Sequence, residues 1–588
     1  MLAPSLSLAA LVLGAAASSH QSSPQYDFVI VGGGTSGLVV ANRLSEMKNV
    51  TVAVIEAGDS VLNNANVTNV MGYSLAFGTE IDWAYETANQ TYAGGLKQTI
   101  RAGKAIGGTS TINGMSYTRA EDAQIDNWGN IGNQGWSWKD LLPYYKKSED
   151  FQVPTKDQAA HGASYTAKVH GRNGLLKVGW PTSMTNSSVF SVLNETMSEL
   201  GVKYNPDANS GKMIGFTSHP DTLDRQRNIR EDAARAYYWP YESRESLKII
   251  SNTRADKIIW ANTTGDAVAI GIQVSTPYGV ERIYASKEVI LSAGSLKSPQ
   301  LLELSGVGNP DILNKYNIST KVALPAVGEN LQDQTNNALA WESTDALTGL
   351  ATFSALISVD QLYGKNASAV EKQIDNALTD YAKALSKKSN GAVKESNLLE
   401  ALTIQRDLIF KSLVPYAEVV FAPSGQSFTC EYWPLQPFSR GSVHIQSANA
   451  SQSPNIDPNY FMFAQDIEAQ SDVAHFIRRA FGTAPLKDIV GDELSPGQEV
   501  LPANASTSAW DSWIKEHYRP NYHPVGTVSM LPKKKGGAVS SELKVYGTKN
   551  VRVVDASIVP YQISGHLTST LYAIAEKASD IIKESYTH

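Results

Sequence analysis

A loop near the start of the chain has glycines at the spacing that is typical of a site for the pyrophosphate of a dinucleotide. In Gly32-Gly33-Gly34-Thr35-Ser36-Gly37, the first glycine permits a tight turn, Gly34 lets the backbone approach a pyrophosphate, and Gly37 lets a following helix pack closely. That helix would present free N–H groups to the phosphates. Glu56, which ends the next strand-like run, suits hydrogen bonds from ribose hydroxyls. We predict a dinucleotide site rather than a purely structural turn, although this unit alone does not separate NAD from FAD.

Two of the ten histidines stand out by their surroundings. His523 and His566 each occupy a polar turn that leads into small and apolar residues, Tyr522-His523-Pro524-Val525-Gly526 and Ser564-Gly565-His566-Leu567. A neutral imidazole can accept a proton in catalysis because its pKa lies near working pH. A single histidine is more often structural than catalytic, so residue type alone leaves both roles open.

The elements that would position these residues form a βαβ unit at the start of the mature chain. Phe28–Val31 is a short apolar run, Leu38, Val39, Ala41 and Leu44 share one helical face, and Val50–Ile55 is rich in β-formers. Such units build parallel sheets. Short β-like runs return around 247–255, 288–291 and 551–554, whereas residues 336–440 contain polar helical segments. We predict two interleaved domains, one that binds a nucleotide and one that binds a substrate.

The composition is that of an ordinary globular protein and excludes several classes of function. Hydrophobic residues make up 42% of the 588 residues, charged residues 18%, and the net charge is −7. A nucleic-acid partner would need clustered Lys and Arg, and the one basic cluster, Lys533–Lys535, is interpreted as a solvated turn. The single cysteine, Cys430, excludes an intramolecular disulfide and a cysteine-based metal site, and no metal is predicted.

The N-terminus and the glycosylation motifs predict export. Residues 1–19 are almost all apolar or small and end near an A-x-A cleavage site, Ala15-Ala16-Ala17, so a signal peptide is favoured over a membrane anchor. We expect a secreted, soluble glycoprotein with no membrane partner. Ten N-x-[ST] sequons support this expectation, of which Asn49 is doubtful because it precedes a predicted strand: Asn49, Asn66, Asn89, Asn186, Asn194, Asn262, Asn317, Asn366, Asn449 and Asn504.

Three further segments resemble characteristic motifs of the glucose-methanol-choline (GMC) oxidoreductases. They are Arg101–Gly114 (RAGKAIGGTSTING), Gly294–Gly308 (GSLKSPQLLELSGVG) and Val327–Asp333 (VGENLQD). Within that family the chain is most similar to fungal secreted FAD-dependent glucose dehydrogenases, with glucose oxidases as near relatives. That similarity is carried by Thr35–Arg43, Thr118–Asp122, Arg230–Arg235 and His523–Thr527.

The resemblance implies an α/β fold in which a Rossmann-like FAD-binding domain is interleaved with an α+β substrate domain that carries an antiparallel sheet. The FAD-binding domain is expected in three parts, 20–119, 221–335 and 516–588, the last with the catalytic histidines. Residues 120–220 would mix FAD-lid and substrate segments, and residues 336–515 would form the substrate-binding domain. No oligomeric state is predicted.

The resemblance also implies non-covalently bound FAD. The pyrophosphate is expected on Gly32–Gly37, the adenosine ribose on Glu56 and the adenine near Ala255. Asp555 and Ala556 would close over the pyrophosphate and ribityl region. The residues expected to line the flavin side, together with Arg101 of the same motif, are Thr109, Asn113, Gly114 and Met115.

The paired C-terminal active-site residues of the family correspond to His523 and His566, which reverses the structural interpretation of these histidines. His523 is assigned as the general base, and His566 as the group that shares or stabilises the substrate oxygen, while hydride passes from C1 of glucose to flavin N5. Tyr73, Glu431, Arg519 and Asn521 match sugar-contacting positions. Arg519, Asn521 and His523 alternate, so in an extended segment they would share one face. The alternative is a structural Arg519–Glu431 ion pair.

The rival functions differ in substrate and electron acceptor. A dehydrogenase that passes electrons to a quinone or another small acceptor is favoured on resemblance, and a glucose oxidase that uses O2 is the first alternative. Another GMC alcohol oxidase, such as an aryl-alcohol oxidase, would need an apolar aromatic pocket. A non-enzymatic protein that retains FAD as a fold element is disfavoured by the presence of both His523 and His566.

Overall fold

The computed structural model describes residues 24–586, so the predicted signal peptide lies outside the described residues. The strands in this part of the chain are β1 (Gln25–Val31), β2 (Val52–Ile55), β3 (Tyr85–Glu86), β4 (Thr99–Ile100), β5 (Glu149–Phe151), β6 (Leu176–Val178), β7 (Gly215–Ser218), β8 (Leu223–Asp224), β9 (Ile229–Arg230), β10 (Leu247–Ile250), β11 (Arg254–Trp260), β12 (Ala269–Thr276), β13 (Gly279–Leu291), β14 (Val307–Gly308), β15 (Val322–Ala323), β16 (Glu329–Leu331), β17 (Thr335–Leu347), β18 (Phe353–Ile357), β19 (Ala417–Pro434), β20 (Gly441–His444), β21 (Asn455–Asp457), β22 (Val490–Ser495), β23 (Arg519–Pro520) and β24 (Val551–Val553).

The α-helices are α1 (Thr35–Leu44), α2 (Ala65–Thr68), α3 (Asp122–Asn130), α4 (Trp138–Ser148), α5 (Lys156–Ala160), α6 (Ser187–Glu199), α7 (Ala233–Tyr237), α8 (Gly294–Leu304), α9 (Pro310–Lys315), α10 (Val359–Tyr363), α11 (Ala367–Lys388), α12 (Glu395–Phe410), α13 (Ala464–Phe481), α14 (Thr507–His517) and α15 (Leu567–Glu584). None of the helices within residues 24–586 is both long enough and apolar enough to span a bilayer. In the same range, no group of three or more His, Cys, Asp or Glu side chains is arranged to hold a metal ion.

A seven-stranded sheet forms the first half of the fold and contains the predicted βαβ unit. Strands β10, β2, β1, β13 and β24 run parallel in that order, and β12 and β11 extend the sheet in antiparallel fashion from the first part of β13. Strand β2 is buried along its whole length, as are the last four residues of β1, which explains the continuous apolar sequence of these segments. Helix α1 follows β1 directly and packs against α15, the last helix of the chain.

A six-stranded antiparallel sheet forms the second half. Its order is β22, β17, β19, β18 and β7, with the short strand β23 paired to the start of β17. Helix α13 packs on β19 and forms part of the apolar core of this half. Cys430 is buried in that core, as expected of a packing residue. The expected α/β class, with a Rossmann-like sheet joined to an antiparallel substrate sheet, is confirmed.

Candidate active site

One cavity contains most of the residues that the sequence singles out, and its walls come from both large sheets. On one side it begins at the carboxyl ends of β1 and β2, where Val31 and Ile55 end their strands. On the other side it reaches β19 through Val420, Glu431 and Trp433. Because ligands of doubly wound folds bind at the carboxyl ends of the parallel strands, the cavity extends from a nucleotide site toward a second sheet.

The glycine loop between β1 and α1 has no room for side chains at its key positions. Gly32 adopts a φ angle of 103°, and a Cβ atom there would lie 2.3 Å from the carbonyl oxygen of Ser292. A Cβ atom on Gly37 would lie 2.0 Å from the carbonyl oxygen of Gly32. Close packing of helix and strand therefore requires both glycines.

The first turn of α1 is open to an anion. Gly34 caps the helix without a side-chain hydrogen bond, and no acidic residue occupies the first turn. Thr35 and Ser36 line the cavity, and the buried Ser36 hydroxyl has no hydrogen-bond partner among the described residues. Unpaired helix N–H groups together with a free hydroxyl are the donors that a phosphate needs.

Glu56 directly follows β2 and lines the same cavity. Its Oε2 atom accepts a hydrogen bond from the backbone N–H of Gly33 (2.8 Å), and its Oε1 atom accepts one from Gly58 (2.7 Å). Burial raises the pKa of Glu56 to about 6, although these N–H groups oppose the increase. Each carboxylate oxygen keeps lone-pair capacity, so Glu56 can fix the loop and still accept a hydrogen bond from a ribose hydroxyl.

The predicted flavin-side segment touches the glycine loop. Gly108–Thr111 forms a 3₁₀ turn, and a Cβ atom on Gly108 would lie 2.5 Å from the Cα atom of Gly34. The Thr109 hydroxyl accepts a hydrogen bond from Gly103 N at 3.1 Å, which fixes the turn. All five predicted cofactor residues of this segment line the cavity: Arg101, Thr109, Asn113, Gly114 and Met115.

The side chain of Asn113 is held in one orientation by three hydrogen bonds. Its Oδ1 atom accepts from Nη1 of Arg230 (2.6 Å) and from the backbone of Met115 (3.0 Å), and its Nδ2 atom donates to the Thr568 hydroxyl (3.1 Å). The Arg230 guanidinium is buried and also donates to the carbonyl oxygens of Val67 and Ser110. A buried cation thus fixes the amide orientation beside the cavity.

The remaining predicted cofactor residues come from distant parts of the chain. Ala255 lies on β11, Ala556 begins the 3₁₀ turn Ala556–Ile558, and both line the cavity together with Asp555. The Asp555 carboxylate accepts hydrogen bonds from Gly294 N (2.9 Å), at the start of α8, and from Ser557 N (2.8 Å). Asp555 therefore holds two backbone segments at the cavity wall.

Two amide groups lie at Nδ1 of His523, and the oxygen of Gln334, which is nearer than the nitrogen of Asn521 at 3.1 Å, determines the tautomer. The Nδ1 atom of His523 lies 2.8 Å from Oε1 of Gln334, and the Nε2 atom of Gln334 donates to the carbonyl oxygen of Leu435 (3.1 Å). Because that carbonyl group fixes the amide, Oε1 faces the ring and Nδ1 carries the proton. Burial, together with His566 and Arg519, holds the pKa of His523 well below its usual range. The Nε2 atom of His523 is therefore an unprotonated base.

His566 has the opposite charge preference. It precedes α15, its backbone N–H donates to the Thr118 hydroxyl (2.9 Å), and its Nε2 atom lies 3.3 Å from Oε1 of the buried Glu418. Burial alone would lower the pKa of His566, but Glu418 and more distant carboxylates raise it above the usual value. The His523 and His566 ring centroids are 5.3 Å apart and their planes nearly perpendicular. An imidazole that favours its neutral form and one that favours its charged form thus share one cavity wall.

The four predicted sugar-contacting residues separate into two groups. Tyr73, Glu431 and Asn521 line the cavity, whereas Arg519 lies outside its wall and donates from Nη2 to Oε2 of Glu431 at 2.6 Å. The Arg519–Glu431 ion pair that the sequence left as an alternative is therefore present. The Nδ2 atom of Asn521 and the Nδ1 atom of His523 are 3.1 Å apart, although Tyr522 between them, with a φ angle of 62°, interrupts the extended backbone on which the shared face was predicted.

Sequence reasoning did not find several residues of this site. Glu418 and Trp433 lie on β19, Gln334 directly follows the third family-like motif, and His219 and Asp221 follow β7. The Trp433 ring meets His566 edge-on, with centroids 5.7 Å apart. Of these residues, only Gln334 could have been found, by extending the motif Val327–Asp333 by one position. The others become visible only when the sheets are assembled.

Comparisons with known proteins extend over most of the chain. Two family descriptions, both GMC oxidoreductase, match residues 26–336 and 437–575. The glucose oxidase-like protein fsoC of Humicola fuscoatra is 43% identical over 563 residues, covering 95% of this chain and 95% of that protein. A glucose oxidase of Aspergillus carbonarius is 34% identical over 570 residues, with coverage of 95% and 92%. The solved structure of an FAD-dependent oxidoreductase from Chaetomium thermophilum superposes with a TM-score of 0.86 at 29% identity, covering 95% of this chain and 99% of that chain.

Proposed function

The chain belongs to the GMC oxidoreductase family, and on that premise we propose that it uses FAD to oxidise glucose at C1 to glucono-1,5-lactone. Membership makes it an FAD-binding oxidoreductase that oxidises sugars or alcohols. The observation that carries the finer proposal is the pair of imidazoles in one polar cavity, with Gln334 Oε1 at Nδ1 of His523 and the Glu418 carboxylate at Nε2 of His566.

The residues present fit FAD. Around the glycine loop, the neighbouring atoms of Gly32 and Gly37 are mainly backbone atoms. The first turn of α1 has N–H groups without a side-chain cap, and the Ser36 hydroxyl has no hydrogen-bond partner among the described residues. Glu56 and Ala255 would hold the adenosine half, and Asn113, fixed by Arg230, would face the ring system. We propose non-covalent binding, as the family resemblance implies; Cys430, the one cysteine, is buried in the core of the substrate half and does not line the cavity.

When bound, FAD supplies the acceptor for the hydride that leaves C1. The protein must remove the proton of the C1 hydroxyl, and His523 can accept it at Nε2 because Gln334 keeps the proton of the neutral ring on Nδ1. Charge then develops on the substrate oxygen. The imidazolium of His566 stabilises that charge, and Glu418 keeps the imidazolium protonated.

The remaining polar groups suit a sugar. Glu431, held by Arg519, offers carboxylate acceptors, and Asn521, whose Oδ1 atom accepts from Asn336 Nδ2 (2.9 Å), is fixed beside His523. The rings of Tyr73 and Trp433 line the same cavity and could pack on the faces of a hexose. This polar set favours a polyol over an aryl alcohol.

We propose a quinone or another small organic molecule as the electron acceptor. A glucose oxidase that passes electrons to O2 is the second candidate, and one observation favours it: the similar proteins of Humicola and Aspergillus carry the names glucose oxidase-like protein and glucose oxidase. The two candidates share the sugar half-reaction and differ only in what reoxidises the cofactor.

Secretion and glycosylation belong to the same proposal. Asn66 and Asn194 are partly buried, whereas the other sequon asparagines, including the doubtful Asn49, are exposed. An exposed asparagine side chain can carry a glycan on the folded protein. We therefore propose a secreted glycoprotein, in line with the signal peptide predicted at residues 1–19.

A single experiment tests the function. The purified yellow protein is mixed anaerobically with glucose, xylose, galactose and benzyl alcohol, and its flavin absorbance is followed; air or a benzoquinone is then admitted. Bleaching by glucose is expected, with faster recovery by quinone than by air. Rapid recovery in air would favour the oxidase, and bleaching by benzyl alcohol alone would overturn the sugar assignment.

A further inference from the structure

Asp221 is a buried carboxyl group in the catalytic cavity that the reaction described above does not use. It lies in the turn between β7 and β8, and its backbone pairs with Gly179 and Ser116. The residue is 3% exposed and lines the cavity that holds His523 and His566. Ser116 follows Met115 of the predicted flavin-side segment, so Asp221 sits where substrate and cofactor would meet.

The Asp221 side chain has no hydrogen-bond donor of its own among residues 24–586. The Nδ1 atom of His219 lies 3.7 Å from Oδ1 of Asp221, beyond hydrogen-bond distance. Burial raises the pKa of Asp221 to about 8, although His566 and Arg230 oppose the increase. Below that pH the group is a neutral carboxylic acid, which can donate one hydrogen bond and accept others. A buried polar group without a partner is costly unless a ligand satisfies it.

His219 completes this part of the wall. Its Nδ1 atom lies 3.3 Å from the carbonyl oxygen of Pro220, which can only accept, so Nδ1 carries the proton of the neutral ring. The buried Nε2 atom has no partner among the described residues. Burial, aided by His566, lowers the pKa of His219 to about 4. Two uncharged polar groups thus adjoin one cavity.

We propose that Asp221, with His219 beside it, forms a substrate subsite that hydrogen-bonds a sugar hydroxyl away from the reacting carbon. The subsite selects an uncharged hydroxyl rather than a cation or an anion, because both groups are neutral between the pKa of His219, about 4, and the pKa of Asp221, about 8. This inference rests on the proposed function, since it deepens the recognition of the sugar by the same cavity.

The test pairs one side chain with one substrate group. Anaerobic flavin reduction is measured with glucose and with its 2-, 3-, 4- and 6-deoxy analogues, for the wild type, Asp221→Asn and Asp221→Leu. In the wild type we expect one analogue to bind about 10- to 100-fold more weakly than glucose. Asp221→Leu should weaken the binding of glucose to a similar degree. It should also abolish the discrimination between glucose and that analogue, while the discrimination against the other analogues stays unchanged. Asp221→Asn, which keeps a donor and an acceptor, should retain most of the discrimination.

Glu231 supplies a matched control. Burial raises its pKa to about 8 as well, but it does not line the cavity. Glu231→Met should change the melting temperature without altering the pattern across the deoxy analogues. Unchanged discrimination in Asp221→Leu would overturn the subsite while leaving the sugar assignment intact. If Asp221→Leu does not fold, loss of all discrimination in the Asp221→Asn enzyme would also count against the subsite. A wild-type enzyme that no sugar reduces overturns both proposals.

Discussion

At the scale of single residues, His523 faces amide side chains and His566 faces a buried carboxylate. An amide oxygen fixes one proton on an imidazole without strongly favouring a second, whereas a carboxylate stabilises the charged ring. The imidazolium of His566 also lies at the positive end of α15, which would otherwise oppose its charge. The division into base and cation therefore follows from the residues opposite each ring.

Glu418→Gln tests this division. If the charged His566 supports the reaction, activity falls as pH rises through the pKa of His566, which Glu418 raises. Removing the carboxylate charge lowers that pKa, so the alkaline limb of the rate of flavin reduction should move to lower pH. At neutral pH we expect a loss of about 10- to 100-fold.

The matched control for Glu418→Gln is Ser354→Ala. The Ser354 hydroxyl donates to Oε1 of Glu418 at 3.0 Å, so its removal keeps the carboxylate charge. The alkaline limb should then stay near its wild-type position. An alkaline limb that Glu418→Gln leaves in place would exclude His566 as the group that titrates.

At the scale of elements, the cofactor site is built by backbones in direct contact. The glycine loop after β1 and the 3₁₀ turn Gly108–Thr111 approach each other at Gly34 and Gly108. Contact at this distance requires glycine at position 108, because a Cβ atom there would lie 2.5 Å from the Cα atom of Gly34, whereas a Cβ atom on Gly34 would lie 3.7 Å from the Cα atom of Gly108, an ordinary contact.

Gly108→Ala should reduce FAD binding without unfolding the protein. The added Cβ atom would lie 2.5 Å from the Cα atom of Gly34, at a residue whose φ angle is 54°. Overpacking of this kind costs about 1–3 kcal/mol, so we expect roughly a 5- to 100-fold rise in the dissociation constant of FAD. The measurement is quenching of FAD fluorescence by the apoprotein.

Gly95→Ala serves as the control, because Gly95 also has a positive φ angle, 78°, but no atom within 4 Å of an added Cβ. It carries the backbone strain without the steric clash. Equal losses of FAD affinity in both variants would show that strain, and not contact between the two segments, limits binding.

Whether a residue of the site could be predicted from the sequence depends on how far apart along the chain its contacts lie. The βαβ unit, the glycine loop and Glu56 were predictable because their contacts are local and repeat a known spacing. Glu418 contacts His566 across 148 residues, and Gln334 contacts His523 across 189. No periodicity links such positions. Glu418 is paired with Leu356 of β18, and Gln334 immediately precedes β17, so both positions depend on the assembled antiparallel sheet.

At the scale of the whole molecule, buried imidazoles join separate elements. His444 on β20 places Nδ1 2.7 Å from Glu303 on α8 and Nε2 3.3 Å from Glu329 on β16. Burial would lower the pKa of His444, but the two carboxylates raise it to about 10. A charged imidazolium thus ties a helix of the FAD-binding half to a small three-stranded sheet.

His444→Gln should destabilise the protein most under acidic conditions. Because the pKa is higher in the folded state than the unfolded value of about 6.5, the stabilisation is complete below pH 6.5 and is lost as pH rises through about 10. We expect a loss of about 3 kcal/mol at pH 5, read from thermal unfolding between pH 5 and pH 10. The exposed His517 provides the control His517→Gln. A stability difference that grows toward alkaline pH would contradict the assignment.

Two large sheets supply the walls of one cavity, and His523, the proposed base, lines that cavity. The decisive measurement is anaerobic reduction of the flavin by glucose and by glucose deuterated at C1, in the wild type and in His523→Ala. We expect a several-fold slower reduction with deuterated sugar in the wild type. We also expect a loss of about 100-fold or more in His523→Ala with FAD content unchanged. Near-normal bleaching of the variant by glucose would contradict proton removal by His523.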